Sequence, residues 1–224
     1  MITGVIAPLA AEYRTARTLR RAGWRVVHAG VGLKRARIAA QTLLAEGTER
    51  LLVWGTAGGL VPDLRPGCLV LPELVRDADG HSYALDREWR ESLMRAMPPG
   101  LVVSGATIAS VDSPVVTRPQ KQALADASGA AAVDMETAAI ARLAQKLGIP
   151  CVAIRAIADP LELDLPRVVM AARSDRLLPL EIPARLLMKP REVPAIRGLA
   201  RAFSAARKSL ECAATEIART VRQT

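Results

Sequence analysis

Two short segments carry acidic residues where apolar strands are expected to end. The segment VDMETAA, residues 133–139, places Asp134, Met135 and Glu136 where a strand turns into an alanine-rich helix. The segment RAIAD ends an apolar run on Asp159. A carboxyl group desolvated at a strand end can act as a proton donor. A structural interpretation stays open for both segments, because acidic side chains also cap helices and favour their N-termini.

Glycine-bearing turns follow other predicted strands, at residues 30–32, 55–59 and 67. Glycine lets backbone N–H groups approach a polar ligand closely, and ligands of open α/β sheets bind at the carboxyl ends of strands. An ordinary tight turn explains each loop equally well. None of them fits the phosphate-loop pattern or a full dinucleotide-binding fingerprint, so we expect no resident cofactor.

These segments belong to an alternation of strands and helices. Predicted strands cover residues 2–7, 25–29, 51–55, 68–74, 101–106, 131–134 and 151–159. Predicted helices cover residues 9–21, 34–45, 86–97, 118–128 and 137–147. Near-continuous apolar strands suit a sheet that helices bury on both faces. The pattern predicts a three-layer α/β/α sandwich around a mixed, mostly parallel sheet.

The last part of the chain differs in composition. Prolines divide it into short helical pieces, and a longer amphipathic helix is predicted from about residue 193 to 220. Residues 165–224 hold 12 Lys/Arg and 5 Asp/Glu, which gives +7 of the total net charge of +9. We expect residues 1–160 to form the α/β core and residues 161–224 to form a helical, basic part of the same domain. Its basic face fits either a solvated surface or peripheral contact with anionic lipid.

Composition excludes several classes of protein. Aromatic residues make up 3% of the chain and do not interleave with the basic ones, so nucleic acid is not an expected partner. The three cysteines, Cys68, Cys151 and Cys212, lack the spacing of a zinc site, and no metal is expected. Neither a signal peptide nor a run of about 18 apolar residues is visible. We expect a cytoplasmic protein, peripheral on the inner membrane face if the basic part binds lipid.

Taken in order, GTAGGL, VDMETAA and RAIAD resemble the purine nucleoside phosphorylase / methylthioadenosine nucleosidase superfamily. The similarity runs from Gly4 to about Asp159, and the opening segment resembles the nucleosidase branch. The segments around Asp164 and LLMKP at residues 186–190 resemble hopanoid-biosynthesis-associated phosphorylase-like proteins. That finer resemblance implies removal of adenine from adenosylhopane to give ribosylhopane. The family resemblance also implies a homo-oligomer.

The resemblance implies a role for each site residue. Asp159 would protonate the leaving adenine, and Glu12 would orient or deprotonate the attacking water. Glu136 would accept hydrogen bonds from the ribose hydroxyls, and Met135 would pack against the sugar. In full, the substrate-binding residues that we predict are Asp134, Met135, Glu136, Thr56, Ala57, Gly58, Gly32 and Ile108.

The attacking group stays open between water and inorganic phosphate as a co-substrate. The phosphorylase branch carries an arginine on the strand that enters the glycine loop, but residues 51–54 read LLVW here. Glu12 favours the water-using branch. Arg14, Lys34 and Arg35 could still supply cations for phosphate, since arginine binds phosphate in a bidentate fork.

This sequence departs from the family pattern at two points. Ala158 stands where a serine is usual beside the catalytic acid, and no aromatic residue follows Ser104 to stack on the purine, so Ile108 or nearby aliphatic residues must serve.

Other functions remain possible interpretations of this sequence. One is a methylthioadenosine or adenosylhomocysteine nucleosidase, and another is a purine nucleoside phosphorylase. A third, from a different class, is a non-catalytic nucleoside-binding protein, since a fold does not fix a function. Glu12, Glu136 and Asp159 together favour an enzyme, because a binding protein needs no proton donor.

Overall fold

The computed structural model describes residues 1–97, 101–165 and 193–221. Its strands are β1 (Thr3–Ala7), β2 (Arg25–His28), β3 (Arg50–Gly59), β4 (Leu69–Leu71), β5 (Leu74–Arg76), β6 (Ser82–Ala84), β7 (Val102–Ser104), β8 (Thr107–Ser110), β9 (Ala132–Asp134) and β10 (Cys151–Asp159). Its helices are α1 (Ala10–Thr15), α2 (Arg17–Arg21), α3 (Leu33–Ala45), α4 (Arg87–Arg95), α5 (Arg118–Ser128), α6 (Thr137–Leu147) and α7 (Val193–Val221).

The strands form one sheet around β3. Along one path the order is β6-β5-β8-β9-β3-β10-β4-β7, and β1 pairs with both β3 and β2. The first half of β3 pairs with β1, while Gly58 and Gly59 at its far end pair with β9. Pairing is parallel for β1, β3 and β10 and antiparallel at β3–β9, β4–β10 and β5–β6. The predicted mixed, mostly parallel sheet is confirmed.

Alternate residues of β3 belong to different cores. Leu52 and Trp54 pack with α1, α2, α4 and α7, whereas Leu51 and Val53 pack with α3 and α6. Successive side chains of a strand point to opposite faces, so each face of the sheet buries its own apolar set. The predicted three-layer α/β/α arrangement is confirmed.

Helix α7 covers the sheet with small residues. Ala206, Ala213 and Ala214 are fully buried together with Leu210, and the short alanine side chains let the helix approach β10 closely. Arg197, Arg201 and Lys208 are exposed, as expected for an amphipathic helix. The shorter helical pieces predicted after Pro166 lie outside the described residues. Within the described part of the chain, no helix is long and apolar enough to cross a membrane.

The structure corrects several predicted boundaries. The predicted helix 9–21 is divided into α1 and α2 at Ala16, and the predicted strand 68–74 is interrupted at Pro72 and Glu73. Proline has no N–H to donate to a sheet, so an interruption there is expected. Strands β6 and β8 were not predicted. They are three and four residues long, and such short strands depend on pairing with neighbours more than on their own sequence.

Helix α7 provides the first test of this packing. Replacing buried Leu210 with alanine should lower the free energy of unfolding by about 2–5 kcal/mol, because it removes core contacts and leaves a cavity. Urea denaturation measures this. The exposed Lys208→Ala on the same helix should change it by less than about 0.5 kcal/mol. Equal effects of the two substitutions would show that α7 is not anchored in the core.

Candidate active site

A cleft lies at the carboxyl ends of β1, β3 and β10, where the segments after β9 also meet. Its polar side chains are those of Glu12, Thr56, Asp134, Glu136 and Asp159. Its apolar rim is formed by Pro8, Leu9, Val31, Val111, Pro114, Val115 and Leu165. A cleft on which several polar groups converge is the usual form of a small-molecule site.

Arg155 of β10 is the buried cation of the cleft. Its side chain is fully buried, and Nη2 lies 2.5 Å from Asp134 Oδ2 and 3.3 Å from Glu136 Oε2. Nη2 also donates to the Thr137 hydroxyl at 3.2 Å. Burial lowers the pKa of Arg155, but the surrounding carboxylates outweigh that effect and raise it. The guanidinium therefore stays charged and holds the acidic groups around it.

Glu12 is held by backbone and side-chain donors. Oε1 accepts hydrogen bonds from the N–H and the hydroxyl of Thr56 at 2.7 and 2.6 Å, and Oε2 accepts one from the Leu9 N–H at 2.8 Å. Burial raises the pKa of Glu12, although Arg155 and these hydrogen bonds oppose the increase. The carboxyl is therefore both rigidly placed and more basic than a surface glutamate, as a proton acceptor requires.

Glu136 is fixed from two sides. Oε1 accepts a hydrogen bond from the Gly32 N–H at 2.9 Å, and Oε2 faces Arg155 Nη2. Gly32 has a φ of 103°, which favours glycine. Burial raises the pKa of Glu136 to about 7, since it and the nearby Asp134 outweigh the opposing effect of Arg155. Gly32 thus acts on Glu136 through its backbone.

Two glycines of β3 make room for the charged groups. A Cβ on Gly55 would lie 2.7 Å from Arg155 Nη1 and 2.8 Å from Glu12 Oε2. A Cβ on Gly58 would lie 3.0 Å from Asp159 Oδ2. The two distances at Gly55 require its neighbours to move, and the distance at Gly58 requires Asp159 to give by a few tenths of an ångström. The turn predicted at residues 55–59 is part of strand β3, and its glycines allow the close approach of these side chains.

Asp159 lies at the end of β10, where the register with β3 shifts after Ile157 and brings Asp159 opposite Gly58. Such an irregularity redirects a side chain at the end of a strand. Oδ2 lies 3.2 Å from the ammonium of Lys121, whose side chain is fully buried.

The structure brings most of the predicted site residues together. The predicted residues that line the cleft are Glu12, Thr56, Ala57, Gly58, Asp134, Met135, Glu136 and Asp159. Ile108 does not line it: the residue is fully buried in the sheet between Val75 and Ala132. The prediction for Ile108 is therefore wrong, and the nearby aliphatic residues Val111 and Val115 line the cleft instead.

The three cations suggested for phosphate do not line the cleft within the described part of the chain. Arg14 lines a separate groove between α1, α2 and α7, and Lys34 and Arg35 lie in α3.

Sequence reasoning missed Arg155 and Lys121. A charge within the apolar strand 151–159 was a usable signal for Arg155, since a buried charge needs partners. Lys121 gave no such signal, because the segment around it reads as a polar surface helix.

Asp77, Asp79 and His81 are the described residues whose ligand atoms lie close enough for a metal ion, within 4.8 Å of one another. They sit on the β5–β6 hairpin and do not line the cleft. Asp77 accepts hydrogen bonds from the N–H groups of Asp79 and His81, which accounts for the cluster as a turn.

The raised pKa of Glu136 predicts a pH dependence of stability. The Glu136 carboxyl stays protonated in the folded state up to about pH 7, whereas its pKa in the unfolded chain is 4.5. Folding therefore takes up a proton between these two pH values. The free energy of unfolding should therefore be highest below pH 4.5 for this group and fall by about 3 kcal/mol as pH rises to 7.

Urea denaturation at a series of pH values measures this slope. Glu136→Gln should remove most of it and leave the contribution of Glu12, whereas the exposed Glu46→Gln should keep the wild-type slope. Equal pH slopes for the wild type and Glu136→Gln would contradict the prediction.

Comparison with known proteins gives concordant results. The aminodeoxyfutalosine nucleosidase of one Helicobacter pylori strain is 34% identical over 134 residues, which cover 52% of this chain and 58% of that protein. The chain thus matches little more than half the length of this relative. The 5′-methylthioadenosine/S-adenosylhomocysteine nucleosidase structures from Helicobacter pylori and Neisseria meningitidis both have a TM-score of 0.73, at 18% and 21% identity. Each covers 100% of this chain and 99% of its own, so the fold is shared over the full length.

The family itself is shown by sequence. The model described as the phosphorylase superfamily matches residues 15–172, which is more than half of the chain and includes the glycine loop and the segments of Glu136 and Asp159. The chain belongs to the phosphorylase superfamily.

Proposed function

We propose that this protein is a nucleosidase that hydrolyses the N-glycosidic bond of an adenine nucleoside. The observation that carries the proposal is that Glu12, Glu136 and Asp159 line one cleft, with buried Arg155 paired to Glu136 and close enough to Glu12 to affect its pKa. The nucleosidase names of the Helicobacter pylori relative and of the two matching structures support the same class of reaction.

The arrangement suits the charges that develop during glycosidic cleavage. Breaking the bond at C1′ leaves positive charge on the ribose and negative charge on the purine. Asp159 donates a proton to the leaving base. Glu136, kept in place by the Gly32 N–H and Arg155, accepts hydrogen bonds from the ribose hydroxyls. Glu12 orients the attacking water and accepts its proton.

The charge balance of the cleft favours water over phosphate. Arg155 is surrounded by Glu12, Asp134 and Glu136, so carboxyl groups outnumber the buried cation there. Among the described residues no Lys or Arg side chain lines the cleft, so a phosphate dianion would enter beside these groups without a cation clamp from that part of the chain. Arg155 Nη1 is buried and makes no hydrogen bond within the described residues. It could donate to an uncharged oxygen next to Glu12.

We further propose adenosylhopane as the substrate. The resemblance of the late segments to hopanoid-associated proteins supports it. So does the apolar rim of the cleft, where Val31, Val115 and Leu165 could contact an apolar 5′ substituent. The exposed Arg197, Arg201 and Lys208 of α7 would help to attract the anionic membrane in which such a lipid resides. Methylthioadenosine is the alternative, and aminodeoxyfutalosine is a further one suggested by the relative's name.

Adenine release tests the chemistry and the acid. Wild-type protein should release adenine from adenosylhopane in detergent micelles, and Asp159→Asn should lower kcat by about 10²–10⁴-fold, the usual contribution of a positioned acid. The exposed Asp63→Asn is the matched control and should keep the wild-type rate. Release from methylthioadenosine alone would retain the enzyme class and exclude the lipid substrate. No release from any adenine nucleoside would favour a binding protein.

The nucleophile is identified by the sugar product. Reaction in ¹⁸O-labelled water, with and without phosphate, should give labelled ribosylhopane at a rate that phosphate does not change. A sugar 1-phosphate that forms only when phosphate is present would overturn hydrolysis.

A further inference from the structure

Lys121 is a buried cation on the side of Asp159 that faces α5. Its side chain has no exposure, and Nζ contacts four oxygen atoms of the segment that follows β10. These are the carbonyl oxygens of Asp159, Pro160 and Leu163, at 3.2, 2.7 and 2.9 Å, and Asp159 Oδ2 at 3.2 Å. Asp159 is the one carboxylate within ion-pair distance of Lys121 in the described part of the chain.

An ammonium has three N–H groups for these four acceptors. The two shortest contacts, to Pro160 and Leu163, take two of them and fix the turn after β10. The third N–H donates to the Asp159 carbonyl at 3.2 Å, and the Asp159 carboxylate, at the same distance, meets the ammonium as an ion pair. Lys121 therefore fixes the backbone of Asp159 by hydrogen bonds and attracts its carboxylate by charge.

The N-terminal part of α5 is itself tied to the same turn. The Arg118 N–H donates to Asp164 Oδ1 at 2.7 Å, and the Leu165 N–H donates to the Val116 carbonyl at 2.9 Å. Thr117 and Gln120 form a capping box that fixes the first turn of α5. The backbone of α5 is therefore held in place near Lys121, and the Lys121 ammonium has little freedom to move.

Burying a charged donor at this place costs free energy, so its charge is expected to have a use. Fixing three carbonyls requires only hydrogen bonds, while burying an ammonium carries a desolvation cost that an opposite charge must offset. Asp159 supplies that charge when it is ionised. We propose that Lys121 is a positioning residue for the reaction, which holds the Asp159 carboxyl against the leaving base and stabilises the carboxylate that forms.

The step balances with the groups in place. The O–H bond of Asp159 breaks and an N–H bond forms on the purine, while the C1′–N bond breaks with its electron pair going to the base. Asp159 is left as a carboxylate beside the Lys121 ammonium. The role of Lys121 rests on the proposed function, because it acts only through the acid.

The sharpest test varies the leaving group. A 4-nitrophenyl riboside with the same 5′ substituent leaves as a stable phenolate and needs no proton from Asp159. Lys121→Gln should lower kcat for the adenine nucleoside by about tenfold or more and change KM and the nitrophenyl rate by less than about twofold. Lys121→Arg, which keeps the charge, should recover most of the adenine rate. Lys146→Gln, an exposed lysine of α6, is the matched control and should leave both rates unchanged.

A double-mutant cycle excludes a merely structural role. If Lys121 acts through Asp159, Lys121→Gln combined with Asp159→Asn should release adenine no more slowly than Asp159→Asn alone. Equal losses with both leaving groups, or additive losses in the double variant, would overturn the inference, as would a wild-type rate in Lys121→Gln. If Lys121→Gln does not fold, refolded Lys121→Arg and Lys121→Met are compared instead. Lys121→Arg must then release adenine faster than Lys121→Met without a matching difference in the nitrophenyl rate, or the inference fails. Wild-type protein that cleaves neither substrate would count against the proposed function itself.

Discussion

The burial of Arg155 is the constraint on which the cleft depends. A guanidinium with no exposure in a central strand is tolerable only if carboxylates and hydroxyls surround it. Asp134 and Glu136 come from the junction of β9 and α6, and Glu12 comes from α1. All three raise the pKa of Arg155. One cation on β10 therefore relates the positions of two other segments. Gly55 is part of the same arrangement, because a side chain there would separate Arg155 from Glu12.

The same arrangement sets the chemical character of the site. Carboxyl groups collected around one cation are desolvated and compete for it, so the pKa values of Glu12 and Glu136 rise by burial despite the nearby charge. A raised pKa makes a carboxylate a better proton acceptor near neutral pH. The carboxyl groups around Arg155 also outnumber it, and the proposal of water over phosphate as the attacking group rests on that balance.

The sequence allowed the architecture and most of the cleft to be predicted, for identifiable reasons. Long apolar strands such as β3 and β10 and helices with clear ends, such as α6, carry their own signals. The site residues at strand ends share one edge of the sheet because parallel strands bring them there. Short strands such as β8 depend on partners. Ile108 was expected in the cleft as a substitute for the absent stacking aromatic residue, but β8 places it in the core.

The partners of buried charges could not be predicted from the sequence either. Lys121 sits in a segment whose composition is that of a surface helix, and its burial follows from where α5 packs rather than from its neighbours in sequence. Such a contact between residues 121 and 159 has no local pattern to reveal it.

Strand β10 connects the two halves of the site. It supplies the cation that pairs with Asp134 and Glu136 and, four residues later, Asp159, which pairs with Lys121. A regular strand would place residues 155 and 159 on the same face, but the register shift after Ile157 turns Asp159 toward Gly58 and α5. Each buried cation can therefore stabilise its own carboxyl groups from a different side. The carboxyl groups near Arg155 and the carboxyl of Asp159 are thereby placed by one strand, so their spacing does not depend on the loops around the cleft.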